Sequence, residues 1–243
     1  MNAERFMEAR IRAISESGEK DGFGRLAEKT LHKTLKYYVE PDESFHEIKF
    51  LGSIADIKNE SGIYEIQTRA AYKLRAKILK YMAECHVCLV LPLAAKKTVS
   101  WVDRESGEIS PPRKSPKSEG VYDALFEMST YYDILDDPAF SVRLIYLDTT
   151  EYRHRGKGGS AYGSRRIERM ANSILDECDI NEKESLIPLI SDIPKTEFTA
   201  KEFSKITKRS GRRQFYIMKL LENLHLIERV GKRGNAFVYK RCF

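Results

Sequence analysis

The strongest constraint on the fold is a pair of apolar runs set around a polar turn. Leu51-Gly52-Ser53-Ile54-Ala55 closes on Asp56, the turn is Asn59-Glu60-Ser61-Gly62, and the chain resumes as Ile63-Tyr64-Glu65-Ile66-Gln67-Thr68. Short apolar segments around a turn containing Asn and Gly read as the two strands of a hairpin. The nine-residue step from Asp56 to Glu65 then sets the two carboxylates side by side. Glu65 and Gln67 share a face, because strand side chains alternate with period two. Two close carboxylates with no Lys beside them repel unless a cation sits between them, and hard oxygen donors suit Mg²⁺.

The flanks extend this pattern. Residues 24–37 have helical character, with Leu26, Leu31 and Leu35 apolar and Glu28 and His32 four apart on one face. After the hairpin, residues 69–85 read as a basic helix that includes Arg69 and Lys73, and residues 86–93 as a buried strand. The succession helix, strand, turn, strand, helix, strand around Asp56…Glu65-x-Gln67 resembles the PD-(D/E)XK, restriction-endonuclease-like family of metal-dependent nucleases. The match spans roughly residues 20–95. The resemblance implies an α/β fold, a restriction-endonuclease-like mixed sheet flanked by helices, and phosphodiester hydrolysis with Mg²⁺ or Mn²⁺. It further implies that Asp56, Glu65 and the Ile66 carbonyl hold the metal, with Glu28 as an extra contact from the first helix. Gln67 would orient the attacking water, and Arg69 and Lys73 would approach the phosphate. The family most often has Lys where this chain has Gln67, and a neutral amide can hydrogen-bond but carries no charge. The alternative is therefore a nuclease scaffold that binds DNA without cutting it. A third reading is a toxin or defence effector whose C-terminal part docks a protein.

A chain of 243 residues has room for one sizeable domain and a small one. No apolar run approaches the ~18 residues of a membrane span, and Met1-Asn2-Ala3-Glu4-Arg5 has no apolar signal core, which predicts a cytoplasmic protein without a membrane partner. Cys85 and Cys88 form a lone CxxC, with Cys178 and Cys242 far away. They read as small apolar residues in a reducing compartment. The net charge of +6 is unevenly spread: residues 151–243 hold 20 Lys and Arg against 12 Asp and Glu, a net of +8, which leaves −2 for the remainder. That asymmetry predicts a polyanion, DNA, as the partner of the C-terminal part, while carboxylates collect in the N-terminal part.

Along the chain, residues 2–17 read as an amphipathic helix with Phe6, Ile11 and Ile14 inward. Residues 97–103 read as a strand containing Trp101, residues 105–120 as a polar loop, residues 121–135 as a helix and residues 140–148 as an apolar strand. The basic, glycine-rich stretch that begins at Arg153 reads as a linker. Three segments result: a domain over 1–150, a basic linker and helix over 151–180, and a small domain over 181–243.

In the last segment Thr199-Ala200-Lys201-Glu202 is a capping box opening a helix. Ser210 is placed to cap the next helix, in which Phe215, Met218, Leu221 and Leu224 form an apolar stripe with Ile217 and Leu220. Leu226-Ile227-Glu228-Arg229 and residues 236–240 read as strands around the basic tip Gly231-Lys232-Arg233-Gly234. This order resembles a winged helix-turn-helix. The resemblance implies a recognition helix lined by Arg212, Arg213, Tyr216 and Lys219, and a wing carrying Lys232 and Arg233 to DNA phosphates. Restriction-like enzymes often act as homodimers, but nothing in the sequence specifies an interface.

Overall fold

The hairpin lies near one edge of a seven-stranded sheet. In the computed structural model, which describes residues 1–18, 29–155 and 163–243, β1 (His46–Phe50), β2 (Ser53–Asn59) and β3 (Gly62–Ile66) run antiparallel to one another. A 3₁₀ turn over Ala71–Leu74 and helix α3 (Arg75–Met82) carry the chain across to β4 (Val87–Val102), parallel to β3. The short β5 (Arg113–Lys114) pairs with the outer half of β4, and α4 (Val121–Met128) leads into β6 (Phe140–His154), again parallel to β4. β7 (Arg165–Ile180) closes the sheet antiparallel to β6, giving the order β1-β2-β3-β4-β6-β7. This is a mixed α/β architecture.

Helices cover both faces. On one, α1 (Ala3–Gly18) and α2 (Lys29–Val39) bury Phe6, Ala13, Leu31 and Leu35 against Ile57, Ile66, Val90, Ile145 and Leu147. The other face packs Ile63, Leu89, Leu91 and Leu144 against Ile78 and Tyr81 of α3 and Leu125 and Met128 of α4. Ile11, expected to point inward, is 57 % exposed; the small Ala9 and Ala13 make the buried stripe with Phe6 instead. Small residues let α1 lie close on its neighbours, so a bulky Ile is not needed there.

The turn between β2 and β3 admits only glycine. Gly62 has φ +127°, and a Cβ built there would lie 2.3 Å from the His86 carbonyl oxygen. That carbonyl accepts the Ile63 N–H at 2.9 Å, tying the hairpin to the start of β4. Gly62→Ala is expected to lower stability by about 2 kcal/mol or more, read as a shift in the urea midpoint.

Three boundaries differ from the sequence reading. Residues 86–93 and 97–103 belong to one 16-residue strand, β4, with a bulge between Ala94 and Lys96. Helix α4 stops at Met128, and 3₁₀-like turns follow. Residues 151–180, expected as a linker and helix, contain the end of β6 and all of β7; the glycine-rich residues 156–162 lie outside the described residues. The cause is Glu151, 1 % exposed and surrounded by Arg153 at 2.8 Å, Arg169 at 2.9 Å, Lys97 at 3.7 Å and Arg166 at 3.8 Å. These cations, which read as linker charge in one dimension, instead lock the outer ends of β4, β6 and β7.

The C-terminal unit opens with a 3₁₀ helix, Lys183–Ile190, followed by β8 (Phe198–Thr199), α5 (Ala200–Thr207), α6 (Gly211–Asn223), β9 (Ile227–Arg233) and β10 (Ala236–Arg241). β8, β10 and β9 form a small antiparallel sheet. The capping box forms as its spacing predicts: the Thr199 hydroxyl accepts the Glu202 N–H at 3.3 Å, and Glu202 accepts the Thr199 N–H at 2.7 Å. Ser210 occupies the N-cap of α6 without a side-chain bond to the helix. Ile217, Met218, Leu220, Leu221 and Leu224 join the same core as α4, whereas Phe215 is 61 % exposed.

Candidate functional site

Asp56 and Glu65 meet where β2 and β3 part. The ladder pairs Asn59 with Gly62, Lys58 with Ile63 and Ile57 with Tyr64, so the next step brings Asp56 opposite Glu65. Backbone pairing ends there: the Ile66 N–H donates to the Asp56 carboxylate at 2.8 Å, and the Gln67 N–H donates across to the Val90 carbonyl at 3.0 Å. The fork therefore holds a carboxylate in the space a ladder bond would fill. The His32 ring nitrogen, from α2, reaches the same Asp56 oxygen at 3.2 Å.

The two acids have opposite electrostatics. Burial pushes Asp56 up, but the His32 contact, the Ile66 N–H and the charge of Lys77 outweigh it and hold Asp56 below its ordinary value. Glu65 is 1 % exposed, and burial followed by the charge of Asp56 pushes its carboxyl up to about 7. Lys77 offsets only part of this, with its ammonium 2.7 Å from one Glu65 oxygen. The other oxygen, Oε1, is buried without a hydrogen-bond partner. A buried carboxylate with an unpaired oxygen costs free energy unless a cation or water supplies the missing contact.

Lys77 is the residue the sequence reading missed. The basic helix expected after the hairpin points to Arg69 and Lys73 as its phosphate contacts. Both are exposed, and Lys73 lies on the 3₁₀ turn that precedes α3. One turn further on, Lys77 sits inside the helix proper, its ammonium also 5.6 Å from the Tyr81 ring. The premise that no Lys accompanies the carboxylates is corrected: the lysine comes from α3. Gln67, in turn, donates its amide to the Arg69 carbonyl and so is engaged within its own loop. With Thr68 and Arg69 it lines a cleft of about 280 Å³ whose far walls include Glu119, Asp123 and Arg213.

The donor set fits a hard divalent cation. Asp56 and Glu65 supply two carboxylates, and the unpaired Glu65 oxygen is the atom a cation would satisfy. Mg²⁺ binds through one or two carboxylates and keeps several waters. No group of three His, Cys, Asp or Glu is arranged to hold a metal among the described residues. The expected third carboxylate, Glu28, lies outside the described residues, and Ile66 is tied to the site through its N–H.

The expected nucleic-acid residues divide into two groups. Arg213 and Tyr216 contact α4: Arg213, still 54 % exposed, donates to Asp123 at 2.7 Å and lies 5.3 Å from the Phe126 ring, and Tyr216 meets that ring edge-on at 6.2 Å. Arg209, not singled out in the sequence, donates to the same Asp123, which also accepts the Gly120 N–H at the start of α4. Helix α6 is thus fastened to α4, and two residues expected at a groove are occupied in holding it there. Arg212, Lys219 and Lys232 remain exposed, and Arg233 reaches Glu202 at 3.4 Å.

Among the described residues no helix is long and apolar enough to cross a membrane. An uncharacterized protein of Treponema pallidum (strain Nichols) is 28 % identical over 215 residues, covering 87 % of this chain and 84 % of its own. No solved structure matches. Residues 29–181 match the family described as "Domain of unknown function (DUF8091)". The matched region runs from the first described residue of α2 to the end of β7, so it takes in the Asp56–Glu65 fork, Lys77 and the Glu151 cluster together. The chain belongs to the DUF8091 family.

Proposed function

We propose that this protein is a Mg²⁺-dependent DNA endonuclease of the PD-(D/E)XK type, with a restriction-endonuclease-like core and a C-terminal winged helix-turn-helix that binds DNA. The observation that carries the reading is the fork itself: two carboxylates on adjacent strands, one of them with one buried oxygen unpaired and its other oxygen 2.7 Å from a lysine ammonium. Asp56 and Glu65 would hold the ion, Mg²⁺ or Mn²⁺, which when bound supplies Lewis acidity at the phosphate. The Lys77 ammonium offers charge and N–H donors as negative charge builds on the phosphoryl oxygens, the part that the resembled family gives to a Lys where this chain has Gln67. His32 fixes the Asp56 carboxylate in position.

The test is cutting of supercoiled and linear DNA in Mg²⁺, Mn²⁺ or EDTA. Asp56→Ala is expected to abolish metal-dependent cutting while leaving DNA affinity within a few fold; wild-type cutting by that variant would sink the assignment. The second reading, a nuclease scaffold that only binds DNA, is favoured by the engagement of Gln67 with Arg69. DNA shifted on a gel but never cut in either metal would select it.

Metal binding has an independent readout. Glu65 titrates near 7, above its ordinary 4.5, so its neutral form is favoured by folding. Its contribution is present below about 4.5 and is lost as the pH rises through 7. A divalent cation favours the charged form and reverses that loss. Saturating Mg²⁺ is therefore expected to raise Tm by about 3–6 °C at pH 8 and negligibly at pH 5. In Glu65→Gln the gain at pH 8 should vanish; a gain that survives there would place the ion elsewhere.

A further inference from the structure

The outward face of the C-terminal unit carries an arrangement that phosphodiester cleavage does not use. With Arg213 and Tyr216 turned to α4, the stripe that α6 presents outward is Arg212, Phe215 and Lys219, at steps of three and four. Phe215 is 61 % exposed at its centre. With Lys219, Glu222, Arg229 and Tyr239 it lines a groove of about 530 Å³. The Arg229 guanidinium lies 3.8 Å over the ring of Phe237, itself 40 % exposed, and the Lys232 ammonium lies 5.1 Å from that ring.

Exposed aromatic rings bordered by cations have a specific use. A phenyl ring offers no hydrogen bond to a base edge, but its face stacks on any unpaired base, and a guanidinium plane does the same. The surrounding charge favours a polyanion: residues 199–243 hold 12 Lys and Arg against three Glu. Of those cations, Arg209 and Arg213 pair with Asp123, Arg229 with Glu222 and Arg233 with Glu202. Reading a duplex groove calls for polar side chains along the helix, whereas on α6 Tyr216 packs against Phe126 and the guanidinium of the half-exposed Arg213 is paired with Asp123.

We propose that this groove, together with the exposed Phe237 ring that Arg229 covers at its border, binds single-stranded DNA, stacking unpaired bases on Phe215 and on the Phe237–Arg229 pair while Lys219 in the groove and Arg212 and Lys232 outside it meet the phosphates. The inference rests on the reading of the C-terminal unit as a DNA-binding module and changes the form of DNA it takes.

The experiment uses the full chain in EDTA, with fluorescence anisotropy of a labelled oligothymidine strand and of a duplex of the same length. The strand is expected to bind at least about tenfold more tightly than the duplex, and Phe215→Ala and Phe237→Ala each to weaken strand binding by roughly tenfold. Phe215→Trp, which keeps a stacking face, should retain it. Both rings are exposed, so melting curves of the variants should match the wild type. Lys219→Gln is expected to reduce the salt slope by about one while keeping the preference for the strand. A duplex bound as tightly as the strand, or strand affinity unmoved by both alanine variants, would overturn the proposal, and capture of a peptide in place of either would do the same. Plasmid cutting in Mg²⁺ is scored on the same proteins. Cutting without strand binding removes only this inference, and strand binding without cutting removes only the nuclease reading.

Discussion

Lys77→Met is expected to cut the rate of Mg²⁺-dependent DNA cleavage by about a hundredfold or more, assayed below the variant's own melting temperature. Removing one preorganised donor aimed at developing negative charge costs about 10²–10³ in rate, and Met keeps much of the aliphatic stem that lies near Tyr81. The same change withdraws the nearest cation from Glu65, whose carboxyl already sits near 7 because of burial and Asp56. Its pKa should rise further in the variant, so the pH at which cleavage reaches half its plateau should move upward. Lys77→Arg keeps the charge and should recover part of the rate. A Lys77→Met protein that cuts at the wild-type rate would remove Lys77 from the reaction and leave the carboxylates without a charged companion.

Glu151→Gln should lower stability by about 3–5 kcal/mol. Glu151 is buried among Arg153, Arg166, Arg169 and Lys97, and Arg169 is itself only 5 % exposed. Breaking a buried pair by removing one partner costs about 3–5 kcal/mol, because the remaining charges are left uncompensated. For a chain of this size that is a fall in Tm on the order of 10 °C. The pH dependence follows from the sign of the shift. Burial raises the Glu151 carboxyl, but Arg169 and the other cations overcome it and hold it at about 2, against an ordinary 4.5. Its stabilisation is complete above the unfolded value and is lost as the pH falls from 4.5 to about 2. Thermal melts between pH 5 and pH 2 should therefore decline less steeply for Glu151→Gln than for the wild type. Equal slopes would show that Glu151 does not carry the acid sensitivity.

What was legible in the sequence was local. The apolar runs on either side of Asn59–Gly62 fixed the hairpin and, through it, the facing of Asp56 and Glu65. The Thr199–Glu202 box needed only a three-residue spacing. Most of the failures are long-range. Lys77 reaches Glu65 because α3 crosses the sheet at a particular angle, which no spacing encodes. Charges between 151 and 169 looked solvated because their common partner is a Glu that only the sheet buries. The glycines near 156–159 then drew a boundary through the middle of a strand pair. Asp123 meets Arg209 and Arg213 from some 90 positions away, so the occupied face of α6 was read as a free one. Phe215 was assigned to the core on helical period alone, although the buried stripe is complete without it.

The fastening of α6 to α4 has a geometric consequence for any DNA the protein handles. Asp123 is held by two arginines and caps α4, and the cleft beside it is bordered at its other end by Gln67 and Arg69, directly after the fork. On the proposed function, the part that would grip DNA and the part that would cut it are then fastened to each other at Asp123. Such a fastening works as a ruler. The broken bond would fall at a constant number of nucleotides from the gripped segment, whatever the sequence between, and loosening Asp123 would blur that spacing before it slowed the cut.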